Sequence, residues 1–144
     1  MKRYSIGIDP GTKTGVAVYD RHLKKVTRLE CLNFVSALRL IKSEYAVEDV
    51  YAVVIEVSNS NHVWKDNSSL PIRVRLNVAL KVGGVAKESE LIAAMLMEHG
   101  YSVTTQHPSG KGKSMDHNRF NKLTGWKGKS NEHTRDAGML CFGV

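Results

Sequence analysis

The stretch Tyr51-Ala52-Val53-Val54-Ile55-Glu56-Val57 narrows the folds open to this chain more than any other. An almost continuous apolar run of that length reads as a strand covered on both faces. Such a strand lies inside a sheet with a layer of structure on either side, which is the α/β arrangement. Tyr4 to Asp9 reads as a first strand, with Tyr4, Ile6 and Ile8 on one face. The tract from Asp9 through Pro10 and Gly11 to Gly15 is a turn, Val16 to Tyr19 the returning strand, and Lys25 to Cys31 a third. Asn33 is placed to cap a helix over Phe34 to Tyr45. Leu76 to His99 reads as a long helix stopped by Gly100, with Gly83-Gly84 permitting close approach by another element. Tyr101 to Gln106 is a short strand, and His117 to Leu123 and Asn131 to Phe142 are helices. Ser58 to Ser69 and Pro108 to Lys113 are loops. The pattern predicts one α/β domain over residues 1–144, with a mixed central β-sheet flanked by α-helices.

Charge adds a partner class. The chain carries 21 Lys and Arg against 14 Asp and Glu, a formal +7, which favours polyanions. Five of those net charges fall between Pro108 and Arg135, where Lys111, Lys113, Arg119, Lys122, Lys127, Lys129 and Arg135 face only Asp116 and Glu132. Phe120 and Trp126 are interleaved with them. Such a run is either a solvated surface or a track for nucleic-acid phosphates. No run approaches the roughly 18 apolar residues of a membrane span. The opening Met1-Lys2-Arg3-Tyr4 passes straight into a strand, which predicts no signal peptide. Cys31 and Cys141 match no metal or redox spacing, so a reducing, cytoplasmic setting is expected.

Four polar residues stand where chemistry is possible. Asp9 is presented where the first strand runs out into its glycine turn, either as a turn cap or as a ligand at the sheet edge. Glu56 ends the apolar strand, and a carboxylate there must be paired, bind a cation or reach solvent. His133 and Asp136, three apart, share one face of the last helix, while Ala137, Leu140 and Cys141 pack on the sheet. Each alone fits an ordinary surface role. Brought together above one sheet edge, the four would suit Mg²⁺ or Mn²⁺. Two such ions about 4 Å apart stabilise the attacking and leaving oxygens of a phosphodiester.

Ile6-Gly7-Ile8-Asp9-Pro10-Gly11-Thr12 with Gly15 and Val16 resembles the opening motif of RuvC-type Holliday-junction resolvases, in the RNase H-like superfamily. Val54-Ile55-Glu56, the small-residue helix around Val82-Gly83-Gly84-Val85-Ala86, and His133-Thr134-Arg135-Asp136-Ala137 follow in the family's order. The resemblance implies that Asp9, Glu56, His133 and Asp136 are the catalytic, metal-binding positions. It implies a Mg²⁺-dependent endonuclease, with Mn²⁺ able to substitute, that cleaves four-way DNA junctions by two-metal hydrolysis. A homodimer is implied too, because a two-fold junction needs two active sites at fixed separation. The Leu76 to His99 helix, with its Met- and Leu-rich C-terminal half, is the expected contact. Lys111 and Lys113 are expected nearest the scissile phosphate, with Arg119, Lys122, Lys127 and Lys129 on the DNA backbone. The segment Ser58 to Ser69, with Trp64 inside it, departs from the family's usual sequence after the glutamate.

The same residues admit other readings. An RNA-processing nuclease of the same superfamily and a non-catalytic nucleic-acid-binding module share these features. An actin-like ATPase or sugar kinase also opens on Asp-x-Gly-Thr, but needs two such domains around a nucleotide cleft. Ser109-Gly110-Lys111-Gly112-Lys113-Ser114 invites a P-loop reading, yet His107 stands where its first glycine is required.

Overall fold

β1 (Tyr4–Asp9), β2 (Thr14–Asp20) and β3 (Lys25–Leu32) form an antiparallel meander. β4 (Val50–Glu56) then pairs parallel to β1, and β5 (Val103–Gln106) parallel to β4. The sheet order is β3-β2-β1-β4-β5. The apolar run from Tyr51 onward thus lies inside the sheet, as its composition requires. The computed structural model describes residues 1–57, 71–107 and 114–144. The predicted loops Ser58 to Ser69 and Pro108 to Lys113, with Trp64, Lys111 and Lys113, lie outside the described residues.

Two helices cover one face. α1 (Phe34–Glu44) starts where the Asn33 carbonyl side chain accepts from the Ser36 N–H at 2.8 Å. α2 (Ile72–His99) begins four residues before the predicted Leu76, directly after Pro71. A proline at a helix entrance forfeits no intrahelical bond there, so nothing stops the helix from starting early. α2 ends where Gly100 takes the left-handed conformation, with φ 109°. Tyr101, expected in β5, instead sinks into the core, and its hydroxyl donates to the carbonyls of Ile41 (3.2 Å) and Tyr45 (2.6 Å). Ile6, Ile8, Val16, Val18, Val53 and Ile55 pack there against Ile41, Ile92 and Leu96. The close approach expected at Gly83-Gly84 does not occur among the described residues, where a side chain would meet open space. Within the described residues no helix is long and apolar enough to cross a membrane.

α3 (His117–Thr124) and α4 (Glu132–Cys141) follow β5. α4 takes the other face, lying across β1 and β2, where Ala137 and Cys141 meet Ala17, Tyr19 and Val26. A capping box fixes its start: the Asn131 side chain accepts from the Thr134 N–H, and the Thr134 hydroxyl accepts from the Asn131 N–H, both at 2.9 Å. Gly7 and Gly15 make the seat. A methyl group on Gly7 would collide with the Ala137 carbonyl, and one on Gly15 with the His133 carbonyl. The backbone of α4 therefore rests on the strands with no side chain between.

Gly15→Ala should consequently cost about 3 kcal/mol, at the upper end for overpacking a tight site. Gly83→Ala should instead gain about 0.5–1 kcal/mol from helix propensity. Urea unfolding of both variants checks this pair. Equal stabilities would mean that the seat is not close-packed.

Candidate functional site

The sheet and α4 together deliver four side chains to one place. Asp9 is the last residue of β1 and pairs with Gly15 across the hairpin. On its other side the ladder runs Ile8 to Ile55, so Glu56 comes level with Asp9 at the ends of two parallel strands. Ile8 and Ile55 point into the core beneath α1 and α2. Alternation along a strand then turns Asp9 and Glu56 to the α4 face. Gly15 lies under the first turn of α4, which brings the His133 ring over β1. Its Nδ1 lies 3.3 Å from Asp9 Oδ2. Asp136 follows three residues on, near one full turn along the helix.

Exposure and charge differ sharply across the set. The Asp9 side chain is 13% exposed and that of His133 is 51% exposed. Burial pushes the Asp9 carboxyl up to about 7, and the Glu56 carboxylate, which also shares a hydrogen bond with it, adds to the rise. Asp136 pushes in the same direction from farther off, and the hydrogen bond with His133 opposes them. A half-buried carboxyl raised this far marks a region of crowded negative charge.

Several supporting contacts carry no sequence signal. The Ser114 hydroxyl donates to Asp136 Oδ2 at 3.0 Å, across 22 residues. The Ser89 hydroxyl of α2 donates to the Val85 carbonyl one turn back at 2.9 Å, with the Glu56 carbonyl farther off at 3.3 Å, and the Thr14 hydroxyl donates to Glu88 Oε1 at 3.2 Å. Serine and threonine at such separations form no motif, so only the folded chain reveals them.

Among the described residues no group of three or more His, Cys, Asp or Glu is arranged as it stands to hold a metal ion. The donor chemistry is nonetheless that of a hard cation. Mg²⁺ keeps several waters and takes only one or two carboxylates directly. The crowding that raises Asp9 is relieved equally well by a proton or by a divalent ion. Asp9, Glu56 and Asp136 offer the oxygens, and His133 the one nitrogen.

The basic residues are divided. Arg119 and Lys122 lie exposed on α3, and Lys127 and Lys129 on the segment between α3 and α4. Trp126 is half-buried beside them, its indole N–H donating to the Lys129 carbonyl at 3.0 Å. Arg135 is occupied internally, by the Met115 carbonyl at 2.7 Å and the Ser130 hydroxyl at 3.0 Å. Cys141 is buried, and burial pushes its thiol up to about 12, as suits packing rather than nucleophilic attack. No family model matches the chain, and no curated protein does.

The raised Asp9 carboxyl has a measurable consequence. Unfolded, an aspartate titrates near 3.8, against about 7 here. Between those values the folded chain holds more protons than the unfolded one, so stability falls as pH rises through the window and stays lower above it. Asp9→Asn keeps the neutral shape and removes the ionisation. In chelator-treated protein we expect it to melt like the parent near the acid end of that window and several degrees higher at pH above about 7. A difference independent of pH would mean that Asp9 is not the group raised.

Proposed function

We propose that the chain is a metal-dependent, structure-selective endonuclease with an RNase H-like fold that cleaves Holliday junctions or related branched DNA. The observation that carries the reading is the meeting of Asp9, Glu56, Asp136 and His133 at the ends of two parallel strands, with Asp9 raised by burial and by its acidic neighbours. The strand order, three antiparallel followed by two parallel to the first, is compatible with that fold. Exposed Arg119, Lys122, Lys127 and Lys129 supply phosphate contacts beside α4. Lys111 and Lys113 would complete that surface.

In this mechanism Asp9, Glu56 and Asp136 hold Mg²⁺, or Mn²⁺ in its place. Bound there, the metal would supply an activated water and a counter-charge for the departing 3′ oxygen. Asp9 must give up its proton for the site to load, and its raised pKa makes proton and metal compete for it near neutral pH. His133, half exposed with Nδ1 on Asp9, is placed to exchange that proton with solvent. Ser114 holds Asp136 Oδ2 and thereby orients the remaining oxygen.

A homodimer in the cytoplasm completes the proposal. Val35 of α1 and Leu91, Met95 and Met97 of α2 are exposed. Between the two helices lies an apolar groove of about 610 Å³ lined by Phe34, Leu38, Leu91 and Met95. Burying it against a second copy would remove that surface from water.

Cleavage separates the candidate acids from the basic surface. Asp9→Asn, Glu56→Gln and Asp136→Asn should each lower junction cleavage in Mg²⁺ by orders of magnitude, since the chemistry depends on the carboxylates. Junction binding should persist or tighten, because affinity follows the basic face. A gel shift beside a cleavage time course, with linear duplex and structured RNA as companions, reads both. Parental rates in folded Asp9→Asn and Asp136→Asn would remove these residues from catalysis, and cleavage confined to RNA would favour an RNA-processing nuclease.

A further inference from the structure

β4 is irregular at one place. Tyr4 pairs with Val50, but the next residue, Ser5, pairs with Ala52, so Tyr51 is an extra residue in the ladder. Val53 and Ile55 point into the core beneath α1 and α2, and strict alternation would send Tyr51 there as well. The bulge hands that core position to Val50, which is buried, and turns Tyr51 to the α4 side. Bulges that re-aim one side chain in this way are built features of a fold.

What the bulge presents is a prepared aromatic face. Tyr51 is 48% exposed, with the Arg21 guanidinium stacked on its ring at 4.0 Å. Arg21 is itself fixed, donating to the Lys2 carbonyl at 2.7 Å and the Val144 carbonyl at 3.0 Å. The ring stands at one end of a cleft of about 480 Å³ along the β4–β5 half of the sheet. Ala52 and Val54, with Thr104 and Gln106 beside them on β5, form its floor, and Leu140 stands over it from α4. Gln106 pairs in register with Glu56, so the far end of the cleft opens at the candidate active site.

We propose that Tyr51, backed by Arg21, is a stacking subsite for an unpaired base of a nucleic-acid strand that runs along this cleft to the acidic cluster. The assignment rests on the nucleic-acid reading above and adds a second contact to it. An aromatic face takes any base, because every base has a π-face, and an adjoining arginine adds cation–π attraction. The neutral Thr104 and Gln106 side chains offer hydrogen bonds without the repulsion a carboxylate would bring. A duplex cannot use the subsite, since its bases are already stacked within the helix. Five residue steps along β4 lead from Tyr51 to Glu56, about 17 Å at strand rise.

The test is binding by fluorescence anisotropy in chelator, using labelled oligothymidylate and oligouridylate of about 20 nucleotides, longer than the span, and a duplex of equal length. Tyr51→Ala should weaken single-strand binding about tenfold, a typical loss for one stacked base. Tyr51→Phe should bind like the parent, and duplex affinity should not move in either variant. Whichever single strand loses more identifies the sugar the cleft prefers. Should Tyr51→Ala fail to melt cooperatively, Tyr51→Leu keeps the bulk without the ring and carries the same expectation. Unchanged single-strand affinity in a folded variant, or equal losses for single strand and duplex, would overturn the subsite while leaving the nuclease reading intact. Parent protein that binds neither single strand would also overturn the subsite, whereas the nuclease reading stands or falls on the junction cleavage described above.

Discussion

The backbone of α4 touches β1 and β2 at two positions where the strands carry no side chain, Gly7 and Gly15. Helices usually stand off a sheet by the thickness of interleaved side chains. Here that layer is missing at the contact, and the helix sits a side chain closer than it otherwise would. The His133 ring then reaches Asp9 while its own carbonyl rests on Gly15, directly across the hairpin from that acid. A wider separation would leave His133 and Asp136 as surface residues and Asp9 as a turn acid.

Close seating has an electrostatic cost that the fold accepts. Burial of Asp9, with Glu56 and then Asp136 brought toward it, raises its carboxyl to about 7. Folding alone gains nothing from that arrangement, and a chain under no other demand would place the charges apart. The surrounding structure nevertheless holds the acids in place: the capping box starts α4 beside Asp9, Ser114 holds Asp136, and the Val57 N–H donates to the Gln106 carbonyl just past the end of β4. Local strain held by so many independent contacts is characteristic of a site built for a cation or a reacting group.

Much of this was legible in the sequence, because it is written in short-range patterns. The apolar run ending in Glu56, the glycine turn after Asp9 and the His133/Asp136 spacing follow from strand and helix geometry. So do the caps at Asn33 and Asn131. Long-range partners were not legible. Nothing about Ser114 points to Asp136, and nothing about a tyrosine in an apolar run announces a bulge that turns it outward. Gly83-Gly84 shows the same limit, since no described residue comes against the pair. A small residue in a helix permits a neighbour, but only the tertiary structure says whether one comes, and at Gly7 and Gly15 it does. Arg135 shows the converse, a cation in a basic run whose guanidinium is spent on the Met115 carbonyl and Ser130.

The central claim is that glycine-seated packing assembles the acids into a divalent-cation site. Calorimetric titration of the nucleic-acid-free protein with Mn²⁺, slightly above neutral pH, addresses it without reference to any substrate. The account predicts saturable binding accompanied by proton release from Asp9, abolished in Asp9→Asn and weakened in Gly15→Ala in proportion to the displacement of α4. Identical Mn²⁺ binding in the parent and in folded Asp9→Asn would contradict it.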